Sequence, residues 1–367
     1  MKTPRNWVFF FGLFLICMGA SAFGKDSDVI IFDPPNSGQS PGQGTTPASF
    51  SSFGVIDGYY LDANYQFHGF LRDMRGKFST LDVPEAGNGA YQGTLAFGSN
   101  LFGAVAGFYV DSNYGTHGFV RQPNGAIKTF DAPNSAGTYA ANINAEGTIA
   151  GDFYDANGIQ HGYVRAPNGK ITAFDAPGAG TGGGQGTFTG FIDCINLEGS
   201  MTGNSVDANG VQHGYVRTAD GKITTFDVPG AGTAGGQGTA AAGISLDGTI
   251  TGSYFDANYL SHGYLRTRLG KIITFDAPGA VSGGGTYPAN INGLDDIVGQ
   301  FSDSAGVYHG FLRTRFGKII TFDIPGAGNG AGDGTLPSSV DLSGEITGFF
   351  VDINGVNHGF LFFADPF

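Results

Sequence analysis

Thr249-Ile250-Thr251-Gly252-Ser253-Tyr254-Phe255-Asp256, a turn over Ala257 to Ser261, His262-Gly263-Tyr264-Leu265-Arg266, a turn at Arg268-Leu269-Gly270 and the return from Lys271 to Asp276 decide the fold. The three runs are short, rich in β-branched and aromatic residues, and bounded by turn formers. An apolar stretch from Ala240 to Asp247 precedes them. Together they predict four short antiparallel strands, the composition of one propeller blade. The unit repeats. All seven histidines, His68, His117, His161, His213, His262, His309 and His358, stand before Gly and then Phe or Tyr, with gaps of 49, 44, 52, 49, 47 and 49 residues. A period near 48 signals a repeat architecture.

The turns set the register. Gln122-Pro123-Asn124-Gly125-Ala126 and Ala166-Pro167-Asn168-Gly169-Lys170 read as three-residue hairpin loops, with Gly at the left-handed position. Gln122 then faces Ala126, so His117 faces Asp131. The same separation of 14 residues pairs His68 with Asp82, His161 with Asp175, His213 with Asp227, His262 with Asp276 and His309 with Asp323. Cross-strand neighbours of this kind share a face and can touch. A second aspartate precedes each histidine by six residues, as in Asp155-Ala156-Asn157-Gly158 before His161. His358 has no downstream partner, but Val29-Ile30-Ile31-Phe32-Asp33-Pro34 is a strand without a histidine of its own. The expectation is ring closure: the N-terminal strand completes the last blade and Asp33 pairs with His358. The fold expected is all-β, a seven-bladed propeller of four-stranded blades. A closed ring also leaves no exposed sheet edge. A β-solenoid would use shorter rungs without tight hairpins, and a membrane barrel would need longer, alternating strands.

Residues 1–22 read as a signal peptide: a basic start, an apolar run from Trp7 to Met18 and Ala20-Ser21-Ala22. The remainder, 23–367, reads as one domain. Removing the leader takes away Lys2, Arg5 and Cys17 and shifts the formal charge from −13 to −15. One cysteine then remains, Cys194, with apolar neighbours that suggest a buried thiol and no internal disulfide. The acidity argues against nucleic acid or anionic membrane as a partner. The 65 glycines and the 48 Phe and Tyr residues fit tight turns and packed strands. The expected location is secreted, extracellular or periplasmic, without a transmembrane segment, as a monomer.

The repeat His-Gly-Phe/Tyr-Leu/Val-Arg, followed by Gly-Lys-Ile-x-Thr-Phe-Asp-x-Pro-Gly-Ala and Ile-Asn-x-x-Gly-x-Ile-x-Gly, resembles the HAF-type extracellular repeat. Here Gly stands where that family's name has Ala. The resemblance covers nearly all of residues 23–367. It implies export and a repeat architecture, and no catalytic residues.

Histidine between two carboxylates is a motif of general bases and metal ligands. Seven equivalent copies spread round a ring point instead to structural hydrogen bonding, and no catalytic residue or metal ligand is assigned. Asp-x-Asn-Gly resembles the start of a calcium loop but lacks the closing Glu; turn chemistry explains it, leaving weak surface calcium as the one open cofactor reading. The arginines four residues after each histidine, Arg72 to Arg313, are expected to cover aromatic surface between blades; Phe362 takes that place in the last unit. The distance from the Phe-Asp aspartate to the next Ile-Asn-type position varies from 13 (Asp131 to Asn144) to 21 (Asp175 to Asn196), which is read as insertions on one loop face. Departures from the repeat near those loops, Glu85, Tyr91, Tyr139, Asp193, Tyr287 and Asp333, are the candidate ligand contacts. Asp295 is read as a surface acid. The function expected is an exported binding or scaffold propeller, with carbohydrate or protein as the ligand. The alternatives are a polysaccharide-active lyase or glycoside hydrolase on this frame, which needs nonequivalent acid and base residues in one pocket, and a cell-surface structural protein.

Overall fold

The computed structural model describes residues 29–51, 54–190, 193–280 and 284–363. The expected signal peptide and Cys17 lie outside them. All secondary structure among the described residues is β-strand, and no helix is long and apolar enough to cross a membrane.

The first complete unit shows the local logic. β1 (Val29–Phe32) comes first; β2 (Gly44–Phe50), β3 (Ile56–Leu61), β4 (Phe67–Arg72) and β5 (Phe78–Leu81) then form an antiparallel meander. Five further four-stranded meanders follow, and Gly334–Val340, Glu345–Val351 and Asn357–Phe363 make three strands of a last one. β1 supplies its fourth, pairing antiparallel with Asn357–Phe363 in the register Val29↔Phe362 to Phe32↔Gly359. The ring thus closes as the orphan strand predicts, giving seven four-stranded units. β2 and its counterparts lie innermost: β2 packs beside both Gly93–Ser99 and Gly334–Val340. β5 and its counterparts lie outermost, which is why their middle residues are exposed.

Two glycine positions are dictated by close approach. Each inner strand begins on a glycine that meets the third strand of the preceding unit; Gly93 has φ 122°, and a Cβ there would come within 1.9 Å of the Phe67 carbonyl oxygen. In six of the seven units the glycine after the histidine lies under the phenylalanine ring of the outer strand; Gly69 lies against Leu81. A Cβ on Gly162 would meet Phe174 at 2.5 Å, and one on Gly359 would meet Phe32 at 2.5 Å. That contact explains Gly rather than Ala in the histidine phrase.

Hydrophobic cores sit between units. Val228, at the end of one unit's outer strand, packs with Ala241, Ile244, Ile250, Tyr254 and Tyr264 of the next. Arginines seal these seams from outside: Arg72 lies over Phe32, Arg165 over Phe130, Arg217 over Phe174, Arg266 over Phe226 and Arg313 over Phe275, at 4.5–5.0 Å from the ring centroids. In the last unit Phe362 packs on Phe322 instead, at 4.6 Å.

Two expectations are corrected. Asp295 is not a surface acid: it sits half-buried at φ 66° in the turn after Gly285–Ile291, and burial raises its pKa. The length variation is also not confined to one face. Of the eight extra residues between Asp175 and Asn196, five lie before Gly186 and three within the inner segment that follows it. The inner segment from Gly186 to Asn196 therefore spans ten residues where Gly137 to Asn144 spans seven.

Candidate functional site

The histidines and their aspartates gather at the end of the ring where the third strands begin. The Nδ1 atom of each of the first six histidines lies 2.8–3.1 Å from the aspartate 14 residues on, and that of His358 lies 2.8 Å from Asp33. On the other side of the ring, Nε2 of six of them stands 3.5–3.9 Å from the aspartate six residues back. The imidazoles of His68, His117, His161, His262 and His309 stack on the cross-strand aromatic, at centroid distances of 5.0 Å. His213 faces Ser205 instead. The hydrogen bond to Asp82 raises the pKa of His68.

The upstream aspartates are occupied by their turns. Asp62 Oδ1 accepts from the Asn64 and Gln66 amides at 2.8 Å, and its Oδ2 accepts from the Asn64 side chain at 3.2 Å. Equivalent backbone donors hold Asp111, Asp207, Asp256 and Asp303 below the usual carboxylate range. Among the described residues no group of three His, Cys, Asp or Glu side chains is arranged to hold a metal ion.

The six candidate ligand contacts do not converge. Tyr139 and Tyr287 lie on the inner strands Gly137–Ile143 and Gly285–Ile291, not in loops. Asp193 faces the central channel, where Asn142 and Asn290 donate to it at 3.4 and 2.6 Å. Asp333 accepts the Gly330 amide at 2.9 Å within its own loop. Glu85 stands exposed on an interblade loop. Tyr91 alone joins an exposed aromatic cluster. Its ring lies 5.7 Å from Tyr65 and 6.3 Å from Phe67, on the same face as the histidines.

Both tyrosines of this pair occupy positions built for glycine. Tyr65 has φ 61°, as do Tyr114 (63°) and Tyr259 (62°), where the other four units carry Gly158, Gly210, Gly306 and Gly355 at 75–80°. Tyr91 has φ 59°, where Gly42, Gly184, Gly236 and Gly332 stand at 77–91°. A bulky residue in left-handed backbone costs of order 1 kcal/mol. The hydroxyls of Tyr65 and Tyr114 donate to the Pro41 and Ala90 carbonyls at 3.1 and 3.3 Å, which pins each ring across an interblade loop. Tyr91 is 56% exposed and Tyr114 61%.

Sequence reasoning missed two devices. The Asn of Ile-Asn-x-x-Gly reaches the next unit: Asn100 donates to the Asn144 carbonyl at 3.0 Å, Asn144 to Asn196 at 3.2 Å, Asn196 to Ser245 at 3.2 Å and Asn292 to Asp341 at 2.8 Å. In six units the Thr after the inner-strand glycine accepts from the backbone just past the preceding outer strand, as Thr94 does from Val83 at 2.8 Å; Thr45, opposite Pro34, donates to Asp33 instead. Their signal was in the text, since the Thr recurs in all seven units and the Asn in four.

No protein-family model matches the chain, and no curated protein matches it. Solved structures do. The β-propeller domain of the Trilobed protease from Pyrococcus furiosus, described as having an open velcro topology, superposes with a TM-score of 0.57 at 9% identity, over 88% of this chain and 94% of that one. The BP39L lectin from Burkholderia pseudomallei does so with a TM-score of 0.55 at 11% identity, over 86% and 94%. With the meandering units and the closed strand order, these likenesses make the chain a β-propeller.

Proposed function

We propose that the chain is an exported propeller that binds carbohydrate through its glycine-rich loop face, with Tyr65 and Tyr91 as the platform. One observation carries this reading: two neighbouring tyrosines, Tyr91 exposed and Tyr65 half-buried, hold left-handed backbone where sibling units use glycine. Packing alone does not call for them, since four units do without an aromatic at each position. A pyranose offers an apolar C–H face to such rings, while its hydroxyls find acceptors and donors on the loop rim. The formal charge of −13 favours neutral or amino sugars over uronates. Fold likeness to a lectin at 11% identity supports the frame, not the ligand.

The test is a glycan array of neutral, amino and uronate oligosaccharides, probed with the wild type and with Tyr91→Gly. Reproducible capture of neutral or amino glycans by the wild type is expected. Tyr91→Gly should weaken it at least tenfold while melting at the same or a higher temperature, because glycine relieves the backbone. An array with no reproducible binder, or a glycine variant that binds equally well, overturns the reading.

A further inference from the structure

At the end of the channel opposite the histidines, the turns after the inner strands surround a cavity of about 160 Å³. Its rim is apolar and open. Leu101, Leu197, Leu246 and Leu342 line it, 37–44% exposed. Gly293 leaves room for the collar to close: a Cβ there would meet Leu246 at 2.5 Å and Leu342 at 3.1 Å. The floor is acidic and rich in acceptors. Asp193 lines the cavity, at the end of the three-residue addition carried by the fourth unit alone, with φ 46°. Asn142 and Asn290 each donate to one of its oxygens. Asn290 is wholly buried, and its Oδ1, beside the amide that holds Asp193, has no partner. No Lys, Arg or His side chain lines the cavity among the described residues, and Asp341 adds a second carboxylate at the rim.

We propose that this mouth binds a small aliphatic primary amine, its ammonium on Asp193 and its methylenes against the leucine collar. Three properties select that chemistry. An ammonium carries three donors and no acceptor, which suits a carboxylate floor with no cation in its lining. Burial raises the pKa of Asp193, the mark of a carboxylate without a cation, and a bound ammonium would offset it. The volume matches a group of about five or six carbons, close to a cavity known to hold benzene. A long alkyl tail would not fit, and a free anion would meet two carboxylates.

The experiment is calorimetric titration of the whole chain at pH 7.5 with n-pentylammonium, n-pentanol, pentyltrimethylammonium and Nα-acetyl-lysine amide. Saturable binding of n-pentylammonium is expected, at least tenfold tighter than either the alcohol, which lacks charge, or the trimethyl compound, which lacks N–H donors. Asp193→Asn should lose at least tenfold, and Leu101→Ser, on the exposed rim, several-fold without a change in melting temperature. Tyr91→Gly should bind the amine as the wild type does, which separates this site from the loop face. Tighter binding of the lysine amide than of pentylammonium would assign the pocket to a polypeptide side chain and overturn the free amine. No saturable heat, or equal binding by Asp193→Asn, overturns the site itself.

Discussion

Asp57 is the residue whose charge the interior accommodates least. It is fully buried on β3, accepts from the Ser49 hydroxyl, and leaves Oδ2 without a partner. Burial, reinforced by the charge of Asp193, raises its pKa to about 7. Its unfolded value is near 3.8, so the folded state binds the proton more tightly. The stability it contributes is present below pH 3.8 and is lost as pH rises through 7. That shift corresponds to roughly 4 kcal/mol. Asparagine keeps the acceptor but buries an unpaired amide, at about 1–2 kcal/mol. Asp57→Asn should therefore be more stable than the wild type by about 2 kcal/mol at pH 8 and equal or weaker at pH 5. Urea melts at both values check this; parallel curves would show that Asp57 does not titrate in that window. The histidine fasteners make a smaller prediction. Asp323 is 58% exposed, so a double-mutant cycle between His309 and Asp323 should give a coupling of only about 0.5–1 kcal/mol in urea melts. The pairing itself was legible, because a three-residue hairpin leaves one register open. Asp57 was not, since six sibling positions hold Ala, Thr or Val and nothing local marks the seventh as buried.

At the scale of strands, the seam between units is the element that holds the ring. An arginine from one unit covers the outer-strand phenylalanine of the unit before it, as Arg266 covers Phe226 beside the seam core. Arg121 differs, since the outer strand before it ends in Leu81 rather than an aromatic. Arg266→Met, which keeps the apolar stem, should thus cost about 1 kcal/mol more than Arg121→Met. Urea denaturation of the two variants measures the difference, and equal losses would leave the ring contact without energetic weight. Strand order, turn positions and seam arginines could all be read from the repeat. The extra length of the fourth unit was misplaced. Counting from the aspartate to the next asparagine joins a loop to a strand, so three residues of the channel segment passed as loop. Counting from Gly186 separates them, because that glycine is fixed by its close approach to Gln160.

For the molecule as a whole, closure decides how it comes apart. An open array of repeats loses units from its ends, because each contacts only its neighbours. Here the two ends of the described chain share one unit. β1 pairs with Asn357–Phe363, Asp33 meets His358, and the Gly42 amide donates to the Gly355 carbonyl at 2.8 Å. β1 also serves the neighbouring unit, since Phe32 packs on Phe70 and Phe78 beneath Arg72. Removing it would uncover the last unit and strip the outer wall from the core of the first. A variant lacking residues 29–34 should therefore melt well below the wild type, by about 10 °C or more, and change the character of the transition as well. The wild type is expected to unfold in one cooperative step; the opened ring should unfold broadly, with hydrogen exchange rising first in β2 to β5 and in Glu345–Val351. Asp220→Asn, a change at an exposed hairpin, serves as the control and should leave both features unchanged. Calorimetry together with exchange mass spectrometry reads both. A truncated chain that still melted sharply, with exchange spread evenly over all units, would mean that the core of each unit suffices and that closure adds little.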